Sequence, residues 1–120
     1  MIIGVGCDII EISRICKAIR NPLFVERLFT PEEISRGLQY RQPASYFAGR
    51  FAAKEALSKA LGTGIGSKLS WKSMEILNDK RGKPYVVWHG GVKERYAIVH
   101  SHLSISHSKS TAVAYALIEG

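Results

Sequence analysis

The sequence predicts a single α+β domain over residues 1–120, built from an antiparallel sheet and one long central helix. Three observations support this fold class. The chain has 120 residues, which is the size of one domain. It is 46% hydrophobic and 22% charged, so disordered and collagen-like chains are excluded. Helical hydrophobic spacing dominates the first half, whereas short β-rich runs dominate the second half.

The N-terminal part of the chain is predicted to begin with a strand and to continue as helices. Residues 2–10 form an apolar, β-rich run, which predicts a strand buried on both faces. From Glu11 onward the apolar side chains follow helical spacing, and the pair Asn21-Pro22 ends that helix. Thr30 and Glu33 are spaced as a capping box, which predicts the start of a further short helix.

The longest helix is predicted over residues 43–61, with Gly62 as its C-terminal stop. Small residues share one stripe of this helix with Glu55 and Lys59. Another segment of the chain can therefore approach the helix closely at that stripe.

The C-terminal half is predicted to contain two hairpins with a helix between them. Residues 71–78 and 84–88 are the strands of the first hairpin. The helix covers residues 92–99 and follows a pair of glycines. Residues 103–107 and 111–118 form the second hairpin around a short polar turn.

The charge balance predicts an anionic partner. Seventeen Lys and Arg residues against ten Asp and Glu residues give a net charge of +7 and an isoelectric point near 9.7. Nucleic acid, a phosphate-rich small molecule, an acidic protein and an anionic membrane surface all fit this balance. Arg14, Lys17 and Arg20 follow one another on the first helix without an interleaved aromatic residue, so they suit an acidic protein helix at least as well as nucleic acid. A merely solvated helix face is the plain alternative.

The two cysteines and the N-terminus predict a cytoplasmic protein. Cys7 and Cys16 are too few for a disulfide framework or a four-cysteine metal site, so we expect two reduced thiols. The apolar run at the N-terminus has no preceding cation and is too short to span a bilayer. No targeting segment and no membrane partner are therefore expected.

Two carboxylates are candidate ligands for a hard cation. Asp8 closes the first apolar run, where it either caps the following helix or ligates a cation. Glu55 is the best second carboxylate, and Mg²⁺ typically takes one or two carboxylates besides water and phosphate oxygens. Lys59 lies one turn beyond Glu55, either as an ordinary surface ion pair or as a cation beside a phosphate.

The remaining motifs favour phosphate chemistry without a nucleophile of the chain's own. His107 lies in a polar strand end rich in hydrogen-bond donors, which suits a phosphate, although a hydrogen-bonded structural histidine is as common. His100 and His102 lack a third soft ligand, so they predict no transition-metal site. The chain has no Gly-x-Ser-x-Gly motif, no Walker loop and no dinucleotide fingerprint, so the nucleophile of an enzyme of this sequence would come from a substrate.

Four blocks of the sequence, in order and at the expected spacing, resemble the holo-[acyl carrier protein] synthases, the short bacterial class of 4'-phosphopantetheinyl transferases. The resemblance runs nearly end to end, and the blocks are residues 4–11, 47–60, 78–84 and 104–107. The departures are small: Cys7 stands where the family usually has Thr, and Ser108 where an acidic residue is frequent.

The resemblance implies a 4'-phosphopantetheinyl transferase fold and a transfer reaction. The 4'-phosphopantetheine group of coenzyme A would pass to a serine hydroxyl of apo-acyl carrier protein, releasing adenosine 3',5'-bisphosphate and supporting fatty acid biosynthesis. By the same resemblance, Asp8 and Glu55 would hold Mg²⁺ against the diphosphate. Either Glu55 or a water on the metal would take the serine proton, and Lys59 would stabilise or protonate the leaving phosphate.

The resemblance also implies binding residues and an oligomeric state. Five residues would line the nucleotide and its 3'-phosphate: Arg50, Lys54, Pro84, Ser106 and His107. The basic helix with Arg14, Lys17 and Arg20 would dock the carrier protein. The family forms homotrimers with active sites between subunits, so we expect a homotrimer.

Two other functions are the alternatives to this transferase. One is a non-enzymatic basic module that binds RNA or another polyanion, and the other is a coenzyme A or nucleotide binder without catalysis. The joint presence of Asp8, Glu55 and Lys59 argues against the second. We expect no nucleic-acid partner.

Overall fold

The secondary structure follows the predicted order with one additional helix. A computed structural model describes residues 1–120. In chain order its elements are β1 (Ile2–Glu11), α1 (Ile12–Ala18), α2 (Pro22–Leu28), α3 (Pro31–Gly37), α4 (Pro43–Leu61), a 3₁₀ turn (Trp71–Ser73), β2 (Met74–Asn78), β3 (Pro84–Trp88), α5 (Val92–Arg95), β4 (His100–His107) and β5 (Thr111–Glu119).

The strands form two antiparallel sheets, so the predicted α+β class is confirmed. The larger sheet has the order β1-β5-β4, and the smaller sheet is the hairpin β2-β3. In the larger sheet Asp8 lies opposite Ala114, and Ser106 lies opposite Val113. None of the helices is both long and apolar enough to span a lipid bilayer.

Helix α4 lies directly on β1, as the stripe of small residues predicts. A Cβ atom added to Gly4 would come within 2.0 Å of the carbonyl oxygen of Ala60. One added to Gly6 would come within 1.9 Å of the carbonyl oxygen of Ala56. Glycine is therefore required at both positions for the strand backbone to reach the helix backbone. Gly62 ends the helix in the left-handed region with φ 77°, which confirms the predicted stop.

The prediction that the first strand is buried on both faces is wrong. Gly6 and Ile10 point to α4 and are buried, whereas Val5 and Ile9 are 51% and 67% exposed. The strand is apolar on both faces, but within one chain α4 covers only one of them. We call the other face the outer face of the sheet, and it consists of Val5, Cys7, Ile9, His102, Ser104, Ser106, Val113, Tyr115 and Leu117.

Helix α2 is absent from the sequence prediction. Pro22 was expected only to end the preceding helix, but it also occupies the first turn of a new one. The side chain of Asn21 caps that helix by accepting a hydrogen bond of 3.0 Å from the backbone N–H of Leu23. The pair Asn21-Pro22 therefore both ends the region of α1 and begins α2.

Several boundaries differ from their predictions by a few residues. Strand β2 begins at Met74 because the 3₁₀ turn precedes it, and β4 extends back to His100 because that residue pairs with Glu119. Helix α5 ends at Arg95 instead of residue 99, since the chain has to return to the sheet at His100.

Candidate active site

Helix α4 and strand β1 bring Asp8, Glu55 and Lys59 together, and we call these three residues the carboxylate cluster. The ammonium group of Lys59 lies 3.0 Å from Oδ1 of Asp8 and donates a second hydrogen bond of 2.9 Å to the carbonyl oxygen of Cys7. Glu11, not Asp8, is the N-cap residue of α1, and its side chain makes no capping bond. The helix-cap alternative for Asp8 is therefore wrong.

The carboxylate cluster has an excess of negative charge. Burial raises the pKa of Glu55, the nearby Asp8 carboxylate raises it further, and Lys59 opposes both effects. The pKa of Lys59 is raised by its hydrogen bond to Asp8 and by the charge of that carboxylate. One ammonium group thus faces two carboxylates, so a further cation would be stabilised there.

The donor set of the cluster fits Mg²⁺. It supplies hard carboxylate oxygens from Asp8 and Glu55 and no sulfur or imidazole ligand. The chain contains no group of three or more His, Cys, Asp or Glu side chains placed to hold a metal ion. Two carboxylates that leave room for water and phosphate oxygens are a typical magnesium arrangement, because Mg²⁺ loses its water ligands reluctantly.

A second group of site residues lines a cavity of about 410 Å³, which we call the arginine cavity. Arg50 from α4 and His107 from the end of β4 both line it, so the structure brings these two predicted nucleotide residues together. The guanidinium group of Arg50 donates to the side-chain oxygen of Asn78 and lies 4.3 Å from the ring centroid of Tyr46. The side-chain amide of Asn78 in turn donates to the carbonyl oxygen of Gly82 at 2.7 Å.

Tyr46 is a cavity residue that the sequence analysis missed. Burial raises the pKa of its hydroxyl group, and the neighbouring Arg50 charge partly offsets this rise. Neither that hydroxyl group nor Nε of Arg50 has a hydrogen-bond partner within the chain. The available sequence signal was the spacing of Tyr46 and Arg50, which are four residues apart on one helix and therefore lie on the same face.

Lys54 does not line the arginine cavity within one copy of the chain, and its contact with the nucleotide stays a prediction. Its side chain is completely buried and forms an ion pair of 2.8 Å with Oε1 of Glu33. The ammonium group also donates to the carbonyl oxygens of Leu28 at 2.7 Å and Trp71 at 3.1 Å. All three N–H groups are therefore occupied, although burial lowers the pKa of Lys54 against the opposing effect of Glu33.

A buried polar network around Glu33 supports the middle of α4. Besides Lys54, the Glu33 carboxylate accepts hydrogen bonds from the backbone N–H groups of Thr30 at 2.9 Å and Ile76 at 2.8 Å. The hydroxyl group of Thr30 donates to Glu75, whose other oxygen lies 3.0 Å from Nε2 of His89. Burial tends to raise the pKa of Glu75, but these two hydrogen bonds outweigh it and lower the pKa.

Pro84 and Ser106 do not line the arginine cavity within one chain. Pro84 pairs with Asn78 at the end of the small sheet and lines a different cavity, of about 480 Å³, beside β4. Ser106 belongs to the outer face, whereas its neighbour His107 points to the opposite side of the sheet. Of the five predicted nucleotide residues, Arg50 and His107 therefore line one cavity within a single copy of the chain.

The basic side chains predicted to dock a partner are exposed. Arg14, Lys17 and Arg20 are accessible to solvent, and none of them forms an ion pair within the chain. Ile12 and Ile15 anchor the other side of α1 in the core. This surface is free to meet an acidic partner.

The carboxylate cluster and the arginine cavity lie on different sides of α4. Glu55 follows Arg50 by five residues, which at 3.6 residues per turn places the two side chains about 140° apart around the helix axis. Glu55 and Lys59 face β1, whereas Arg50 reaches Asn78 at the end of β2. A ligand that contacts both would have to bridge two surfaces of the fold.

Known proteins with similar sequences extend over the whole chain. The model of the 4'-phosphopantetheinyl transferase superfamily matches residues 4–116. A holo-[acyl-carrier-protein] synthase of Clostridium acetobutylicum is 50% identical, with 99% of this chain and 98% of the relative covered. A protein of the same name from Bacillus cereus strain AH187 is 47% identical, with 99% of this chain and 97% of the relative covered.

Solved structures show the same fold. A holo-(acyl-carrier-protein) synthase from Bacillus anthracis in complex with CoA (3',5'-ADP) superposes with a TM-score of 0.87 and 43% identity, over 100% of this chain and 98% of the other. The Helicobacter pylori holo-[acyl-carrier-protein] synthase in complex with coenzyme A gives a TM-score of 0.83 and 34% identity, over 96% of this chain and 99% of the other.

Proposed function

The chain belongs to the holo-[acyl-carrier-protein] synthases of the 4'-phosphopantetheinyl transferase superfamily, and from this membership we infer that it transfers 4'-phosphopantetheine from coenzyme A to an acyl carrier protein. The acceptor is a serine hydroxyl of the apo-carrier. The new bond joins the serine oxygen to the phosphorus of phosphopantetheine, and adenosine 3',5'-bisphosphate leaves. The reaction supports fatty acid biosynthesis, and residues 1–120 act in it as one domain.

The observation that carries this function is the carboxylate cluster. It unites two carboxylates and an ammonium group at the contact between β1 and α4. In a phosphoryl transfer whose nucleophile comes from the substrate, the enzyme mainly has to neutralise charge and position the reacting groups. The cluster would supply both to a diphosphate through a cation held by its two carboxylates and through the ammonium group of Lys59.

Asp8 and Glu55 hold Mg²⁺ in this proposal. When bound, the metal neutralises the diphosphate and orients it for in-line attack. Either Glu55 or a water held beside it would take the proton of the serine hydroxyl. Lys59 has a raised pKa, stays protonated at neutral pH and stabilises or protonates the leaving phosphate.

Arg50 and His107 contribute to nucleotide binding from the arginine cavity, with Pro84 and Ser106 as further contacts. A guanidinium group and an imidazole are suitable donors for the phosphate of adenosine 3',5'-bisphosphate. Because the cavity and the carboxylate cluster lie on different sides of α4, one coenzyme A molecule that contacts both would lie between two copies of the chain.

The outer face supports a homotrimer. It exposes apolar side chains of β1 and β5, including Val5, Ile9 and Tyr115, and such contiguous patches are typical of protein interfaces. Sedimentation should give a trimer, and Val5→Asp should give a smaller species with little transfer activity. Ile98→Asp is the control, because Ile98 is 82% exposed and lies outside the outer face. A fully active monomer would contradict the trimer.

The basic side chains of the α1 region dock the carrier protein. Arg14, Lys17 and Arg20 are exposed and unpaired within the chain, so they can attract an acidic helix over a long range.

Mass spectrometry of an apo-carrier protein tests the activity directly. After incubation with this protein, coenzyme A and Mg²⁺, the carrier should gain the mass of one phosphopantetheine, and a chelator should abolish the gain. Glu55→Gln keeps the size of the side chain but removes the charge, so it should abolish the gain as well. A carrier whose acceptor serine is replaced by alanine is the control for the site of attachment.

Two outcomes would contradict the proposal. Unchanged Mg²⁺-dependent turnover in Asp8→Ala and Glu55→Gln would show that other residues hold the metal. Absence of transfer with several carriers, together with steeply salt-dependent binding of arbitrary RNA, would favour the polyanion-binding module instead.

A further inference from the structure

Tyr46 is the most enclosed aromatic residue of the arginine cavity. Its ring is stacked on that of Tyr40, with 5.2 Å between centroids and 25° between planes, and stands edge-on to Phe47 at 5.3 Å. Arg50 covers the ring at 4.3 Å. These contacts fix the ring on three sides, so the position of its hydroxyl group is also fixed.

Two buried donors in this cavity have no acceptor within the chain. Tyr46 is 9% exposed and Arg50 is 6% exposed, yet the tyrosine hydroxyl and Nε of Arg50 are both without a hydrogen-bond partner. Buried polar groups are nearly always satisfied in native proteins, so an unsatisfied pair in a cavity wall indicates a ligand that accepts hydrogen bonds there.

The lining of the cavity favours an anionic ligand. None of its residues is acidic, and it carries Arg41, Arg50 and His107. Oxygens of a phosphate monoester accept several hydrogen bonds at once and are stabilised by guanidinium groups. Coenzyme A has one such group, the 3'-phosphate of its ribose, which lies outside the diphosphate that reacts.

We propose that Tyr46 is a specificity-determining residue whose hydroxyl group donates a hydrogen bond to the 3'-phosphate of coenzyme A beside Arg50. The proposal rests on the function proposed above and adds a residue to it. Tyr46 thereby makes the enzyme prefer coenzyme A over dephospho-coenzyme A. The reacting diphosphate belongs to the carboxylate cluster, so the hydroxyl group acts on substrate binding and not on the chemical step.

Tyr46→Phe tests this role because it removes only the hydroxyl group and keeps the ring contacts. A hydrogen bond to a charged group contributes enough for the KM for coenzyme A to rise about tenfold. The KM for dephospho-coenzyme A should change less than twofold, and kcat with coenzyme A should be retained. Tyr96→Phe is the matched control, since Tyr96 is also buried but packs on Trp88 at 4.8 Å, outside the cavity.

Calorimetry in the absence of metal and carrier gives an independent readout. Tyr46→Phe should weaken binding of adenosine 3',5'-bisphosphate and leave binding of adenosine 5'-monophosphate unchanged, whereas Tyr96→Phe should change neither. An equal loss for both nucleotides, or no loss for either, would overturn the role of Tyr46. Thermal unfolding of each variant checks that the fold is intact.

The result also separates this inference from the proposed function. A wild-type protein that transfers no phosphopantetheine contradicts the transferase itself. A wild-type protein that transfers it, while Tyr46→Phe retains the full preference for coenzyme A over dephospho-coenzyme A, contradicts only the role of Tyr46.

Discussion

Lys54→Met probes the buried ion pair beneath α4. Lys54 and Glu33 are both fully buried, and methionine matches the length of the lysine stem without its charge. The substitution leaves the Glu33 carboxylate with only its two backbone donors, Thr30 and Ile76, in an apolar environment. It also removes the donor to the carbonyl oxygens of Leu28 and Trp71.

The expected loss of stability is large. Removing one partner of a buried ion pair costs about 3–5 kcal/mol, because the other charge stays buried without compensation. The total unfolding free energy of a domain is about 5–15 kcal/mol, so the variant would keep a small margin. Adding Glu33→Gln to Lys54→Met should recover part of the loss, since a neutral amide oxygen can still accept a backbone hydrogen bond.

Urea unfolding at a fixed protein concentration measures this loss, because assembly makes the apparent stability concentration-dependent. Lys72→Met is the control: Lys72 is exposed, so its replacement should change the unfolding free energy by less than about 0.5 kcal/mol. A loss below about 1 kcal/mol for Lys54→Met would refute the buried pair. An increased KM for coenzyme A with normal stability would instead support the predicted contact of Lys54 with the nucleotide.

Three further predictions test the helix contact, the docking surface and the polar network. Gly6→Ala places a Cβ atom 1.9 Å from the Ala56 carbonyl oxygen and should cost about 2–4 kcal/mol in urea unfolding, whereas Gly66→Ala meets no atom within 4 Å and should cost far less. Arg14→Glu should raise the KM for the carrier protein, more at low than at high salt, with the KM for coenzyme A unchanged; an unchanged carrier KM would refute docking there. Because the pKa of Glu75 is lowered from 4.5 by folding, its contribution to stability is present at neutral pH and is lost as the pH falls below that value. Glu75→Gln should therefore flatten the acid side of the stability profile, and a profile parallel to that of the wild type would contradict this.

Local sequence patterns predicted most of the fold because they depend on neighbouring residues. The capping box at Thr30 and Glu33 forms as expected, with the side chain of each residue bonded to the backbone of the other. Helix α4 has its predicted ends, since Pro43 begins it and Gly62 stops it. The burial of β1 could not be predicted in this way. An apolar run does not reveal whether both faces of the strand are covered by segments of the same chain.

The site was predictable to different extents for its two parts. Asp8, Glu55 and Lys59 could be grouped from the sequence, since a strand end and a helix stripe of small residues indicate a close approach. The sequence could not predict that Lys54 is buried, because the burial of one helix position depends on which segment of the chain packs against it. Its acceptor, Glu33, lies 21 residues away in the sequence. Glu33 also belongs to a capping box, and this local role gives no indication that it pairs with Lys54.

The position of each side chain around α4 determines how the fold can perform the transfer. Alanines such as Ala56 admit the glycines of β1, and this approach brings Asp8 to the ion pair with Lys59 beside Glu55. The larger Tyr46 and Arg50 occupy the side that faces away from β1, where they form the wall of the arginine cavity. One helix therefore carries two half-sites that lie about 140° apart around its axis. Association through the apolar outer face would let the cluster of one copy meet the cavity of another, so the exposed strand face and the divided site have a common explanation.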